Sequence, residues 1–354
     1  MTFENYNRPF LFAGPCSIES EKQIDSTIKA LTKKGKVDLI RAGVWKPRTR
    51  PNNFEGVGKI GLKWLVNAGK KYKVPVATEV ANAKHFELAL MAGIDAIWIG
   101  ARTTVNPFSV QEIADSIKGT DIPVFIKNPI TPDINLWVGA IERIKNAGIS
   151  NIIAVHRGFA SYEKSKYRNI PQWNIPIELM RILPELKVIC DPSHICGNRN
   201  LLKYVSQKAL DLNMFGLMIE THCTPDEALS DAHQQITPDS YYNLINSLII
   251  REANPSSGNN VVLDDLRTKI DDIDDRIFTA LAHRIRAIKE VGDYKKKNNM
   301  TILQVERWSE ILENRIQNGK ESGLRDVFTE TILESIHNES VYQQNLILNQ
   351  NNIE

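Results

Sequence analysis

Cys16, Arg41, Glu79, Arg102, Lys127, Arg157, His194 and Glu220 each stand at or just beyond the end of a short apolar run, and each can ligate, titrate or bind an anion. They sort into two chemical sets. Cys16, His194 and Glu220, with Asp231 a little further on, offer a thiolate, an imidazole and two carboxylates. Such a mixed set suits Mn, Fe, Co or Zn and leaves a position for substrate. Arg41, Lys46, Arg48, Arg102, Lys127 and Arg157 are more cations than a structural role would need. Arginine forks bind phosphate and carboxylate groups bidentately, so substrates carrying those groups are implied. Taken singly, each residue has an ordinary reading: a solvated strand end, a small buried thiol at Cys16, a helix N-cap at Asp231. Their shared register argues for a site.

The runs that would position them are Phe10 to Ala13, Asp38 to Arg41, Pro75 to Thr78, Ala96 to Ile99, Pro123 to Ile126, Ile152 to Val155, Lys187 to Cys190 and Gly216 to Ile219. A segment able to hold a helix follows each. This alternation predicts a parallel sheet with right-handed crossovers, and eight units in roughly 250 residues predict a closed (β/α)8 TIM barrel. Its strand ends converge on one mouth. An open doubly wound sheet would need a glycine-rich turn after the first strand, which the sequence lacks.

Near Asn254 to Asn260 the pattern changes to linker composition. The expected division is a barrel over 1–253, a linker over 254–262 and a small all-helical domain over 263–354. Leu266, Ile270, Ile273, Ile277, Leu281, Ile285, Ile288 and Val291 draw one apolar stripe along a long helix. Two further helices are expected, about Gln304 to Asn318 and Leu324 to Asn349, with Gly319 and Gly323 as breakers. Three helices make a thin layer. A homodimer intertwined through this domain would complete its core.

Bulk properties narrow the field. With 354 residues, 42% hydrophobic, 24% charged and a net charge of +2, the chain has room for two domains and no global pull toward nucleic acid or membrane. Functional charge must be local. The polar N-terminus has no apolar core of signal-peptide type, and four cysteines are too few for a disulfide scaffold. A cytoplasmic protein is expected.

Gly14-Pro15-Cys16-Ser17, Lys46-Pro47-Arg48-Thr49, Ile99-Gly100-Ala101-Arg102, His156-Arg157-Gly158, Asp191-Pro192-Ser193-His194 and Ala228-Leu229-Ser230-Asp231 resemble, in order, the motifs of the type I 3-deoxy-D-arabino-heptulosonate 7-phosphate (DAHP) synthases of the shikimate pathway. The resemblance covers about Pro9 to Ile250. It implies metal ligation by Cys16, His194, Glu220 and Asp231. Phosphoenolpyruvate would be held by Arg102, Lys127 and Arg157 with Arg41 and Lys46, Lys127 counting as catalytic, while Arg48 and Thr49 would meet the phosphate of erythrose 4-phosphate. The methylene carbon of phosphoenolpyruvate would attack the aldehyde, with water adding to the adjacent carbon before phosphate leaves. The sister octulosonate 8-phosphate synthases usually carry Lys-Ala-Asn-Arg where this chain has Lys46-Pro47-Arg48-Thr49, which favours the four-carbon sugar. One departure is Asn128-Pro129, where many synthases place a glycine within two residues of the strand-five lysine.

In the tail, Arg284 and Lys295 are about three turns apart and project from one face, whereas Arg267 is rotated by about a quarter turn. Ser340 and Gln344, spaced by one turn, share a face of the last helix. Solvated positions are the usual fate of such residues. From about Leu263 to Leu348, however, the order Leu266-Arg267, Ile273-Asp274, Arg284, Val291-Gly292 with Lys295, Glu306-Arg307, Glu339-Ser340 and Gln344 is similar to the all-helical chorismate mutases. That resemblance implies chorismate bound by Arg284, Lys295, Arg307 and a partner's Arg267, assisted by Ser340 and Gln344, with Arg284, Lys295 and Gln344 in catalytic roles. The tail would also mediate feedback inhibition by prephenate. Trp308 stands where many mutases place a glutamate, so the alternative is a monofunctional synthase with a non-catalytic, ligand-sensing tail.

Overall fold

The computed structural model describes residues 9–46, 54–162, 165–251 and 260–349. Arg48 and Thr49 lie outside them, as does the expected linker up to residue 259. The chain divides into two compact units, Met1–Ala253 and Asn254–Glu354.

In the first unit strands and helices alternate: β1 (Phe10–Gly14), α1 (Glu21–Thr32), β2 (Leu39–Arg41), α2 (Lys59–Tyr72), β3 (Val76–Val80), α3 (Ala83–Ala92), β4 (Ala96–Ile99), α4 (Ala101–Thr104) and α5 (Pro107–Ile117). The series continues with β5 (Val124–Lys127), α6 (Ile134–Asn146), β6 (Ile152–His156), α7 (Asn174–Ile182), β7 (Lys187–Cys190), α8 (Pro192–Cys196), α9 (Leu202–Asp211), β8 (Gly216–Glu220) and α10 (Pro238–Asn246). The eight strands form a closed parallel barrel, β8 returning to β1 with Phe10 opposite Gly216 and Gly14 opposite Glu220. Covered on both faces, the strands can be apolar almost throughout. Alternate residues fill the interior: Phe10, Phe12, Leu39, Ala77, Ala96, Trp98, Phe125, Ile153, Val155, Ile189 and Met218. The intervening ones pack outward against the helices.

Helix starts follow from short polar side chains. Ser20, Asn82, Asn106, Asp133, Asp191 and Thr237 each accept a backbone N–H of the turn they cap. At the end of β1, Gly14 has φ 145°, and a Cβ there would lie 2.1 Å from the Arg41 carbonyl oxygen. Only glycine lets β1 and β2 approach this closely where Cys16 leaves the barrel.

The second unit is α11 (Asn260–Lys297), α12 (Val305–Glu321) and α13 (Asp326–Leu348), with α13 packed against both others. The helix begins at Asn260, within the stretch expected to be linker. Gly319 does not break α12. It lies inside the helix because a Cβ there would meet Thr329 Oγ1 at 2.6 Å, so its missing side chain admits α13. The break is at Gly323, with φ 80°. No helix among the described residues is long and apolar enough to cross a membrane.

Candidate active sites

At the barrel mouth, the side chains at the ends of β1, β2, β5, β7 and β8 meet. Cys16 Sγ donates to Asp231 Oδ2 at 3.3 Å, and ligand atoms of Cys16, Glu220 and Asp231 lie within 4.8 Å of one another. His194 joins from α8, its Nε2 3.7 Å from Glu220 Oε1. Its other nitrogen is 2.8 Å from Asp191 Oδ2, which orients the ring with Nε2 toward the carboxylates. Burial and the neighbouring Glu220 push the Cys16 thiol up to about 12. Burial, partly offset by Asp191 and Glu220, holds His194 below its ordinary value. Burial alone would raise Asp231, but His194 and Arg168 outweigh it and leave that carboxyl below the usual range. These donors fit a divalent cation: the Cys16 thiol and the Glu220 and Asp231 carboxylates converge, with the His194 imidazole 3.7 Å from Glu220.

The cations surround this group. Arg41, 1% exposed, places Nη2 2.9 Å from Glu220 Oε1. Lys127 Nζ donates to Asp191 Oδ2 at 2.8 Å, and Lys46 Nζ donates to the Cys16 carbonyl at 3.1 Å. Arg157 Nη1 donates to Asn169 Oδ1 at 2.8 Å, and burial brings its guanidinium down to about 10, Arg102 nearby acting in the same direction. Arg102 itself is exposed at the start of α4. Asn128 accounts for the departure after β5: its Oδ1 accepts the Arg157 N–H at 2.7 Å and its Nδ2 donates to the Gly158 carbonyl at 2.9 Å, stapling the ends of β5 and β6.

Several partners escaped sequence reasoning. Asp191 bridges Lys127 and His194. Arg168 Nη1 reaches Asp231 Oδ1 at 3.0 Å and Gln234 Oε1 at 2.7 Å, Gln234 Nε2 donates to Glu220 Oε2 at 2.6 Å, and Gln235 Oε1 accepts the Cys16 N–H at 2.9 Å. The paired Gln234-Gln235 just beyond Asp231 was a usable signal. Arg168 and Asn169, in an aperiodic loop, gave none.

In the helical unit Arg284 Nη1 donates to Ser340 Oγ, and Lys295, 8% exposed, donates to the Ile302 carbonyl. Gln344, 5% exposed, packs beside Gly292, where an added Cβ would lie 3.5 Å from its Cα. Burial lowers both Arg284 and Lys295 from their ordinary values. Arg267 and Arg307 are exposed and paired on their own helices, with Asp264 at 3.2 Å and Glu310 at 2.9 Å. Trp308 stacks on His337 with ring centroids 3.9 Å apart.

A closed (β/α)8 barrel whose mouth gathers buried cations around a thiol, an imidazole and two carboxylates defines an enzyme for anionic substrates. Residues 4–249 match the DAHP synthetase I family and residues 266–345 match chorismate mutase type II. The chain is 33% identical over 239 residues to a phospho-2-dehydro-3-deoxyheptonate aldolase of Thermotoga maritima, covering 67% of this chain and 68% of the relative. It is 30% identical over 245 residues to a 2-dehydro-3-deoxyphosphooctonate aldolase of Francisella tularensis subsp. holarctica, covering 63% and 83%. Among solved structures, the DAHP synthase of Thermotoga maritima superposes with TM-score 0.61 at 29% identity over 70% of each chain. A truncated form of 3-deoxy-D-arabino-heptulosonate 7-phosphate synthase from the same organism gives 0.58 at 28% identity, covering 68% of this chain and 84% of that one. The chain belongs to the DAHP synthetase I family and carries a chorismate mutase domain, so it is both a transferase and an isomerase.

Proposed function

We propose that the barrel condenses phosphoenolpyruvate with D-erythrose 4-phosphate in a divalent-metal-dependent reaction, and that the helical unit converts chorismate to prephenate and mediates feedback inhibition by prephenate. The observation that carries the barrel reading is Arg41: Nη2 is tied to Glu220, while Nε and Nη1 are buried with no hydrogen-bond partner among the described residues, Asp191 Oδ2 standing 3.9 Å from Nη1. A buried guanidinium edge without close hydrogen bonds is costly unless an anion completes it. Phosphoenolpyruvate would supply that anion, held also by Lys46, Arg102, Lys127 and Arg157, with Arg48 and Thr49 meeting the sugar phosphate.

Fixing both substrates turns their encounter into a local step. The methylene carbon of phosphoenolpyruvate bonds to the aldehyde carbon as the C=C and C=O π bonds open, water adds at the adjacent carbon, and the bond from that carbon to the phosphate oxygen breaks to leave a ketone; of the two water protons, one replaces that given to the former aldehyde oxygen and one departs with the phosphate. The surrounding cations stabilise the charge that moves. Burial, aided by Arg41, draws Lys127 below its ordinary value, which makes it the lysine best suited to give a proton to the former aldehyde oxygen. Cys16, His194, Glu220 and Asp231 would hold the metal, which when bound supplies Lewis-acid polarisation of a carbonyl.

In the helical unit Arg284, Lys295, Ser340 and Gln344 would grip the dicarboxylate and its ether oxygen, with Arg307 and the Arg267 of a second copy completing the pocket. A homodimer is supported by the exposed stripe on α11, where Leu266 is 50%, Ile270 56%, Ile273 53% and Ile277 50% exposed. A cytoplasmic location is part of the same proposal and fits the free cysteines. The test is an assay of both reactions with and without EDTA. Chelation should remove the condensation and spare the rearrangement; a condensation indifferent to chelation would overturn the metal-dependent reading.

A further inference from the structure

Trp98 is the uppermost inward-facing residue of β4, with no exposed surface, and its ring meets Phe12 edge-on at a centroid distance of 6.0 Å. A tryptophan at this level fills the barrel beneath the mouth. It also touches two charged groups of opposite sign. Its indole Nε1 donates to Glu79 Oε2 at 3.1 Å from the position directly across the β3–β4 ladder. The Arg41 guanidinium carbon lies over its ring, 5.2 Å from the centroid.

The other carboxylate oxygen is also confined. A Cβ at Gly100 would lie 2.1 Å from Glu79 Oε1, so glycine there is what lets the carboxylate fold down onto the start of α4. Glu79 is near enough to help keep both Arg41 and Lys46 protonated. A carboxylate so placed is a hazard as well as a help. Released from the indole, it could swing onto the Nε and Nη1 edge of Arg41, which has no hydrogen-bond partner among the described residues and only Asp191 Oδ2 at 3.9 Å from Nη1, and occupy the donors that a substrate anion needs.

We infer that Trp98 is a positioning residue for substrate binding: its ring faces the Arg41 guanidinium, and its N–H holds Glu79 away from the open edge of that guanidinium. The inference rests on the reading of Arg41 as a phosphoenolpyruvate ligand. It assigns to one side chain the separation of a cation and an anion that would otherwise pair with each other.

The test is phosphoenolpyruvate binding by calorimetry on the full-length protein. Trp98→Phe keeps an aromatic face and loses the donor; binding should weaken about tenfold, the scale of one hydrogen bond to a charged group. Glu79→Gln alone is the reference for the double variant. In the double variant the amide no longer competes for Arg41, so affinity should return to within about twofold of Glu79→Gln, a rescue that mere core filling would not give. Should Trp98→Phe not fold, as judged by its thermal melt, Trp98→Met tests the same loss of donor with an adaptable side chain. Unchanged binding in the single tryptophan variant, or a double variant as weak as that single one, would overturn the inference. Arg41→Lys separates the two readings. If it binds phosphoenolpyruvate at parental affinity, the assignment of Arg41 itself fails; if it binds poorly while Trp98→Phe binds normally, only the role of Trp98 falls.

Discussion

Lys127 Nζ sits 2.8 Å from Asp191 Oδ2, joining β5 to the start of α8 across the intervening strand β6. Both are buried, and Arg41 and His194 crowd the same carboxylate. Burial alone would raise Asp191, but His194, Lys127 and Arg41 together hold it well below the usual carboxylate range. A carboxyl depressed on folding contributes stability above its unfolded value, near 4, that is lost as pH falls through the folded value. Asp191→Asn should therefore destabilise the barrel by about 3–5 kcal/mol at neutral pH, the cost of breaking a buried pair. Denaturant titrations from pH 7 down to pH 3 should show the gap narrowing below about pH 4. A constant gap would mean that Asp191 is not the acid-sensitive group.

Cys16→Ala should abolish the condensation and leave chorismate turnover close to normal, because the proposed metal ligands all lie at the barrel mouth. Metal content by atomic absorption should fall in parallel. Equal loss of both activities in a folded variant would contradict this division of labour.

Cys223 should be the first cysteine alkylated by iodoacetamide. The neighbouring His222 brings its half-buried thiol down to about 7, whereas burial pushes Cys16 and Cys196 up to about 12 and Cys190 well above its ordinary value. Thiolate is the reacting form, so the labelling rate should be half-maximal near pH 7. Peptide mass spectrometry after brief labelling identifies the site; prior labelling of any other cysteine would refute the ordering.

Lys295→Ala should cut mutase turnover by about 10²-fold or more, the usual scale for removing a preorganised donor at a developing oxyanion. Steady-state rates on chorismate measure this. Turnover at the parental rate would show that the helical site has been drawn on the wrong residues.

Prephenate should lower the condensation rate of the intact chain and have no effect on a truncated chain ending at Ala253. Coupling in binding free energy is reciprocal, so phosphoenolpyruvate should weaken prephenate binding by the same factor by which prephenate weakens phosphoenolpyruvate binding. Inhibition that survives truncation would place the sensor in the barrel.

The strands were legible because burial on both faces leaves short continuous apolar runs, and the long helices because an apolar stripe recurs at the helical period. The barrel follows from eight repeats of one unit, and the residues at its mouth from where each apolar run stops. Gly319 was misread because composition marks a glycine without saying why it is there. Inside α12 it answers to Thr329 on another helix, a packing demand and not a turn.

The sequence by itself determined the elements, the donor types and their order around the mouth, since these are set locally by side-chain chemistry and backbone period. Only the tertiary structure decided which groups pair. Asp191 between Lys127 and His194, Arg168 on Asp231 and Trp98 between Glu79 and Arg41 each join residues from different strands or loops. Such pairings depend on strand register and barrel closure, distances that no local pattern encodes, and they fix which charges are satisfied and which remain open for substrate.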